Sequence, residues 1–192
     1  MKSTSRFVPM ILAAALALAL PALVHASEFK TVQTDKSTLD FGYRQMNVAM
    51  DGHFKKFAAQ LSFDPAKATT AKVALDVDLA SIDTGSTEGD DEVAGKQWFN
   101  TKAFPTAHFA SSGVKALSAN HYEVTGQLSI KGRTQTVSAP TSVTVNGNVA
   151  TFDGSFVIKR ADFAIGEGVW ADFGTVANEI QIKFHIVANA AK

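Results

Sequence analysis

Of the five histidines, His25 falls in an N-terminal apolar run, and His53, His108, His121 and His185 stand far apart. No two recur at the short spacing that sets a pair of imidazoles on one strand or helix face, so a zinc or facial-triad iron site lacks its ligands. Asp76 and Asp78 share a strand face, a pattern open to acid/base work but commoner as the solvated side of a strand. The run Glu88, Asp90, Asp91, Glu92 lacks the glycine placement of a calcium-binding helix–loop–helix, and a solvated loop is its ordinary reading. Gly166-Glu167-Gly168 follows Ile165 without the strand–loop–helix unit of a nucleotide site. There is no G-x-S-x-G, and there is no cysteine to serve as a thiol nucleophile, a disulfide partner or an iron–sulfur ligand. No catalytic residue is expected. If the chain did act on a substrate, Asp76, Asp78 and His108 would be the groups to do so.

The aromatic residues say more. There are 14 Phe against 2 Tyr and 2 Trp, a bias toward aromatic surface with no polar handle. Each Phe taken singly reads as core, as for Phe41, Phe57, Phe63, Phe109, Phe152, Phe156 and Phe184. Together they describe a lining suited to a tail-like ligand with no polar groups to satisfy.

The elements that carry these residues are strands. Leu39, Phe41 and Tyr43 alternate with polar neighbours, as do Phe57, Ala59, Leu61 and Phe63, with Phe54 out of phase and a bulge expected between. The alternation continues through Val73 to Leu79, Thr106 to Leu117, Tyr122 to Ile130, Thr134 to Val145, Phe152 to Ile158 and Ile180 to Ile186. Asn146-Gly147 is the strongest hairpin signal. About eight strands, many of ten or more residues and joined by tight turns, predict an all-β fold: a closed antiparallel barrel of about eight strands. An interior of that size is either filled by side chains or holds one small ligand. Acidic residues on the polar strand faces favour the apolar face as the inside, rather than a membrane barrel with its apolar face out.

Two stretches break the pattern. Ile82 to Phe109 abandons alternation for some twenty residues, and one or two short helical turns are expected in 86–100, with Ser86 as N-cap and Glu88 to Glu92 at the positive end of the helix dipole. Ala161 to Thr175 is the second.

The N-terminus is read as a leader. Lys2 and Arg6 precede an apolar run from Val8 to Val24, and Val24-His25-Ala26 is a small-residue site, so residues 1–26 are expected as a signal peptide cleaved between Ala26 and Ser27, leaving one domain over 27–192. Removing Lys2 and Arg6 from a balance of 18 basic and 18 acidic residues leaves a slight acidic excess and no basic tract, which excludes the footprint of a nucleic-acid or anionic-lipid binder. Export without cysteine points to a periplasm.

In chain order, TDKSTLDFGYRQM (residues 34–46), Gly52-His53-Phe54, Phe63-Asp64-Pro65, Ile82-Asp83-Thr84-Gly85, Phe104-Pro105-Thr106-Ala107-His108-Phe109, Gly126 to Thr134 and Arg160-Ala161-Asp162-Phe163-Ala164-Ile165-Gly166 resemble the YceI-like family of periplasmic polyisoprenoid-binding proteins. The resemblance spans nearly all of 27–192 and implies a lipocalin-like barrel open to a long lipophilic pocket. Arg44-Gln45-Met46 and Gly89 to Phe99 depart from the family pattern, so no basic head-group site is carried over. The walls expected for the pocket are Phe41, Tyr43, Phe57, Leu61, Phe109, Leu128, Ile130, Phe156 and Phe184, with Trp98, Phe99, Phe104, Trp170 and Phe173 lining or covering a mouth, and Ile82 to Phe109 acting as a lid with Trp98-Phe99 as its apolar cover. The expected role is non-catalytic binding of an isoprenoid quinone, a polyprenol or a similar amphiphile, with no other cofactor and no metal. The partners this reading admits are the lipophilic molecule, a second copy of the chain and, through the resemblance of the GEGVWAD segment, a membrane b-type cytochrome. Nucleic acid and stable membrane insertion are not expected.

Overall fold

The computed structural model describes residues 28–191, so the leader and its cleavage point lie outside the described residues. Eleven strands follow one another: β1 (Phe29–Val32), β2 (Thr38–Gln45), β3 (Val48–Phe54), β4 (Phe57–Ser62), β5 (Lys72–Asp78), β6 (Ile82–Asp83), β7 (Thr106–Ser118), β8 (His121–Ile130), β9 (Arg133–Asn146), β10 (Val149–Lys159) and β11 (Glu179–Ala190). The helix α1 (Thr87–Ala94) lies between β6 and β7. All strand pairs are antiparallel, in the order β4-β5-β7-β8-β9-β10-β11-β2-β3-β6, with β1 on β11.

The count of eleven against an expected eight has a local cause. β3 and β4 are one run of chain interrupted only at Lys55-Lys56, where the phase of alternation changes at Phe54. Before the break the run pairs with β2, and after it with β5, so it bends from one side of the sheet to the other. β1 and the two-residue β6 are short fillers. The sheet curls round on itself: β1, bonded to β11, meets the end of β4 through Phe29 N to Phe63 O at 2.8 Å and the return bond at 3.0 Å.

Turn chemistry sets the registers. Gln45 pairs with Val48, and Met46 and Asn47 both take positive φ, 48° and 67°, the conformation two-residue hairpins prefer because it follows the strand twist. Lys131 and Gly132 do the same between β8 and β9. The hairpin expected at Asn146-Gly147 forms, but Asn146 is itself paired with Val149, so the turn residues are Gly147 and Asn148.

β11 shows which face is which. Ile180, Ile182, Phe184 and Ile186 point into the barrel, while Glu179, Gln181, Lys183 and His185 lie between them on the outer face. That is the reverse of a transmembrane barrel. Among the described residues no helix is long and apolar enough to cross a membrane. Two apolar clusters close the interior. One joins Phe29, Phe63, Val143, Ala150, Phe152 and Ala188, with Phe63 edge-on to Phe152 at 5.1 Å. The other joins Leu39, Leu79, Trp98, Ile130, Ile158, Phe163 and Val176, beneath α1 and the 160–176 segment.

Candidate functional site

Between the two clusters the barrel is not filled. A cavity of about 730 Å³ runs through it, lined by inward, mostly apolar side chains of the strands and, at one end, by α1 and residues of the two irregular stretches. That lies within the usual range for small-molecule sites, roughly 300–1,000 Å³.

Glycines keep the lumen open. A Cβ on Gly52 would overlap the Phe41 ring, one on Gly126 the Phe109 ring and one on Gly154 the Phe184 ring. Each would also stand 2.5 Å from a neighbouring carbonyl oxygen, of Asp83, Ala110 and Pro140 respectively. The three rings therefore lie back over bare backbone on the next strand instead of projecting across the lumen. All three line the cavity.

Of the expected site residues, Phe41, Tyr43, Leu61, Phe109, Leu128, Ile130, Phe156 and Phe184 reach the cavity from strands, and Trp98, Phe99 and Trp170 reach it from the two irregular stretches. Three do not. Phe57 sits at the β3–β4 bend and packs against the cluster beneath α1. Phe104 covers the β8–β9 turn, 3.2 Å from where a Cβ on Gly132 would stand. Phe173 is 48% exposed, and the Arg160 guanidinium lies 5.1 Å from its ring centre.

Of the two roles expected for Trp98, lining or covering, the structure places it as lining. It is 7% exposed and packed among the core residues, 5.5 Å from the Trp170 ring. It is a wall of the cavity and not a lid. The segment beside the opening is α1, capped by Ser86 Oγ accepting from Gly89 N at 3.1 Å as the sequence anticipates. No α1 residue is buried, yet Glu88, Gly89, Glu92 and Val93 border the cavity. Val93 packs against the core beneath the helix, and the rest of the helix's hold is polar: Asp90 accepts from Thr84 N and Oγ1 at 2.7 and 2.8 Å, and Glu92 accepts from Trp170 Nε1 at 2.6 Å.

Arg160 is the residue whose role spacing alone did not disclose. Fully buried, it gives all five N–H groups to backbone carbonyls: Ala177 at 3.2 Å, Ile165 and Gly166 at 2.9 Å, Trp170 at 2.7 Å and Val176 at 2.8 Å. Burial pulls its pKa below the ordinary arginine value. An arginine among glycines in an apolar-patterned segment was the available signal. Lys131, on the β8–β9 turn, joins the two irregular stretches by donating to Lys96 O, Ala164 O and Glu167 Oε2 at 2.9, 2.7 and 2.9 Å. That hydrogen bond holds the Glu167 carboxyl below its usual pKa.

The residues weighed for catalysis lie elsewhere. His108 and Asp76 pair at 2.6 Å, both about half exposed, and neither they nor Asp78 borders the cavity. His185 pairs with Asp153 at 2.6 Å, and His53 stands 3.9 Å from Asp83. Among the described residues no three of His, Cys, Asp and Glu gather as a metal site.

Fold and cavity together define a class, a lipocalin-like antiparallel barrel whose interior is left open to an apolar guest. Residues 31–188 match the YceI-like domain, and the chain belongs to that family. A UPF0312 protein of Azotobacter vinelandii is 31% identical over 137 residues, 68% of this chain and 69% of that one. The crystal structure of Burkholderia cenocepacia BcnA is similar at a TM-score of 0.80 and 47% identity, covering 82% of this chain and 99% of that one. A polyisoprenoid binding domain of Saccharophagus degradans shares the fold at a TM-score of 0.67 and 15% identity, over 86% of this chain and 99% of that one.

Proposed function

We propose that this protein is an exported, non-catalytic carrier that holds an isoprenoid, as a quinone or polyprenol, or a similar long amphiphile inside its barrel. The observation that carries the reading is the 730 Å³ cavity with its almost wholly apolar strand walls. Each buried CH₂ contributes about 0.8 kcal/mol, so a tail is held without a polar anchor along its length. The polyisoprenoid binding domain of the same fold supports the ligand class. A catalytic alternative built on Asp76, Asp78 and His108 loses its basis, because those groups lie away from the cavity. The compartment proposed is the periplasm, supported by the leader sequence and the lack of cysteine. Neither a second copy of the chain nor a membrane b-type cytochrome draws support from the barrel's geometry.

The test is native mass spectrometry of the purified protein with extraction of bound lipid. A polyprenyl lipid or quinone released in a stoichiometric amount is the expected outcome. Protein that repeatedly emerges empty and takes up neither quinone nor polyprenol overturns the proposal.

A further inference from the structure

Given that lipid-binding reading, on which this step rests, we infer that the cavity selects amphiphiles with an uncharged head group and rejects anionic ones, and that the acidic α1 segment at its opening imposes the choice. The cavity's polar border lies where β2 ends and α1 begins: Tyr43, Gln45, Thr84, Ser86, Glu88 and Glu92. Asp90 and Asp91 stand on the same helix, and from Val73 to Gly95 the chain has neither Lys nor Arg.

Arg44 and Lys96 stand near the opening in sequence but do not border the cavity, and the other nearby cations are committed. Lys55 pairs with Asp83 at 2.8 Å. Lys131 is taken by two carbonyls and Glu167, and every N–H of Arg160 has an acceptor. Lys72 also borders the cavity, but it begins β5 while the opposite end of that strand leads toward α1, a separation of about 20 Å along a seven-residue strand. A phosphate or carboxylate seated at the opening would therefore face carboxylates at close range, with no uncommitted cation on the cavity border at that end. At the same place the Tyr43 hydroxyl and the Gln45 amide have no hydrogen-bond partner among the described residues, and between them they offer donors and acceptors that match a hydroxyl, carbonyl or amide. Burial, and then the nearby Asp90 charge, raise the Tyr43 pKa, so this phenol stays a neutral donor.

The experiment compares two ligands with one tail, geranylgeraniol and geranylgeranyl monophosphate, titrated into the full-length mature protein at low ionic strength and followed by tryptophan fluorescence. The alcohol is expected to bind at least about tenfold more tightly, the scale of one or two unscreened charges at a half-exposed site. Added salt should shrink the ratio. The double variant Glu88→Gln/Asp91→Asn, which spares the Ser86 cap, Asp90 and Glu92, should reduce it severalfold, and Glu88→Lys provides a second reading if the double variant fails to fold. Equal or tighter binding of the monophosphate to the unaltered protein overturns the inference while leaving lipid binding intact. A preference that survives both variants unchanged removes α1 as its source. Binding of neither ligand ends the lipid-binding reading, and this selectivity with it.

Discussion

The two irregular stretches sit side by side at one end of the barrel and are held in opposite ways. The segment 160–176 has no strand and only two short 3-10 helices, Arg160–Phe163 and Gly168–Trp170, with Ala164 at φ 54° and Gly166 at φ 76° between them. Its carbonyls nonetheless converge on one buried guanidinium. The other stretch contains a proper helix, α1, that has no fully buried residue, meets the core only through the partly buried Val93, and is tied down by part-buried and exposed hydrogen bonds. Regularity is thus a poor guide to rigidity. A segment without ladder bonds is fixed when a buried donor satisfies its carbonyls. A helix with no buried face draws little stability from tertiary packing and belongs to the regions that open locally.

The strongest way to break this comparison is at Arg160. Arg160→Met leaves several buried carbonyls without donors and should cost about 3–5 kcal/mol in denaturant unfolding, since each orphaned group costs about 1–3 kcal/mol when buried. A loss under 1 kcal/mol would mean that the segment is held by its apolar contacts instead. Trp98→Ala belongs to the same scale, about 3–5 kcal/mol, because the indole is core. A lid residue would have loosened lipid retention without that loss.

Gly154→Ala comes next. The added methyl must displace Phe184 from its place over the strand, at about 1–3 kcal/mol, and the ring moves toward the lumen. Reduced lipid capacity in extraction assays is the expected companion, and unchanged capacity would show that the glycine does not set the bore.

Glu92→Gln sharpens the other side of the comparison. Replacing the charged acceptor of the Trp170 bond at an exposed site should change global stability by under about 1 kcal/mol. Amide hydrogen exchange should speed up in α1 and remain slow through 160–176. Faster exchange in both would mean that the two stretches open as one unit.

The smallest effect is on pH. Asp83 has a lowered pKa, chiefly from its Lys55 bond and then from the Gly85 N–H, and Glu167 a lowered pKa from Lys131. A carboxylate depressed in the folded state contributes its stability in full above its unfolded pKa and loses it as pH falls through the folded value. Both groups are exposed, so the slope should be shallow. In acid titration of thermal stability, Glu167→Gln should lower stability slightly near neutrality, where the contribution is complete, and flatten the profile below the ordinary glutamate range, so that the two proteins converge in acid.

Much of this was legible in the residues. Alternation placed the long strands and their apolar faces, and Ser86 with the acids after it marked the start of α1. Both signals are local, since a strand's period and a helix cap act over a few residues. The filler β6 was not legible, because two residues carry no period. Nor was the exclusion of Phe57, Phe104 and Phe173 from the cavity. Each is an ordinary apolar residue, and whether it meets the lumen, a turn or a guanidinium depends on what the chain brings opposite it.

The sequence by itself determined an antiparallel barrel with its apolar face inward and two interruptions, because those follow from side-chain periodicity and turn residues. Only the tertiary structure decided that the interior stays hollow, that Trp98 is wall and not lid, and that Arg160 fixes its segment from within. Those outcomes depend on ring-over-glycine contacts between neighbouring strands and on carbonyls gathered from up to seventeen residues away, and no local pattern encodes such meetings.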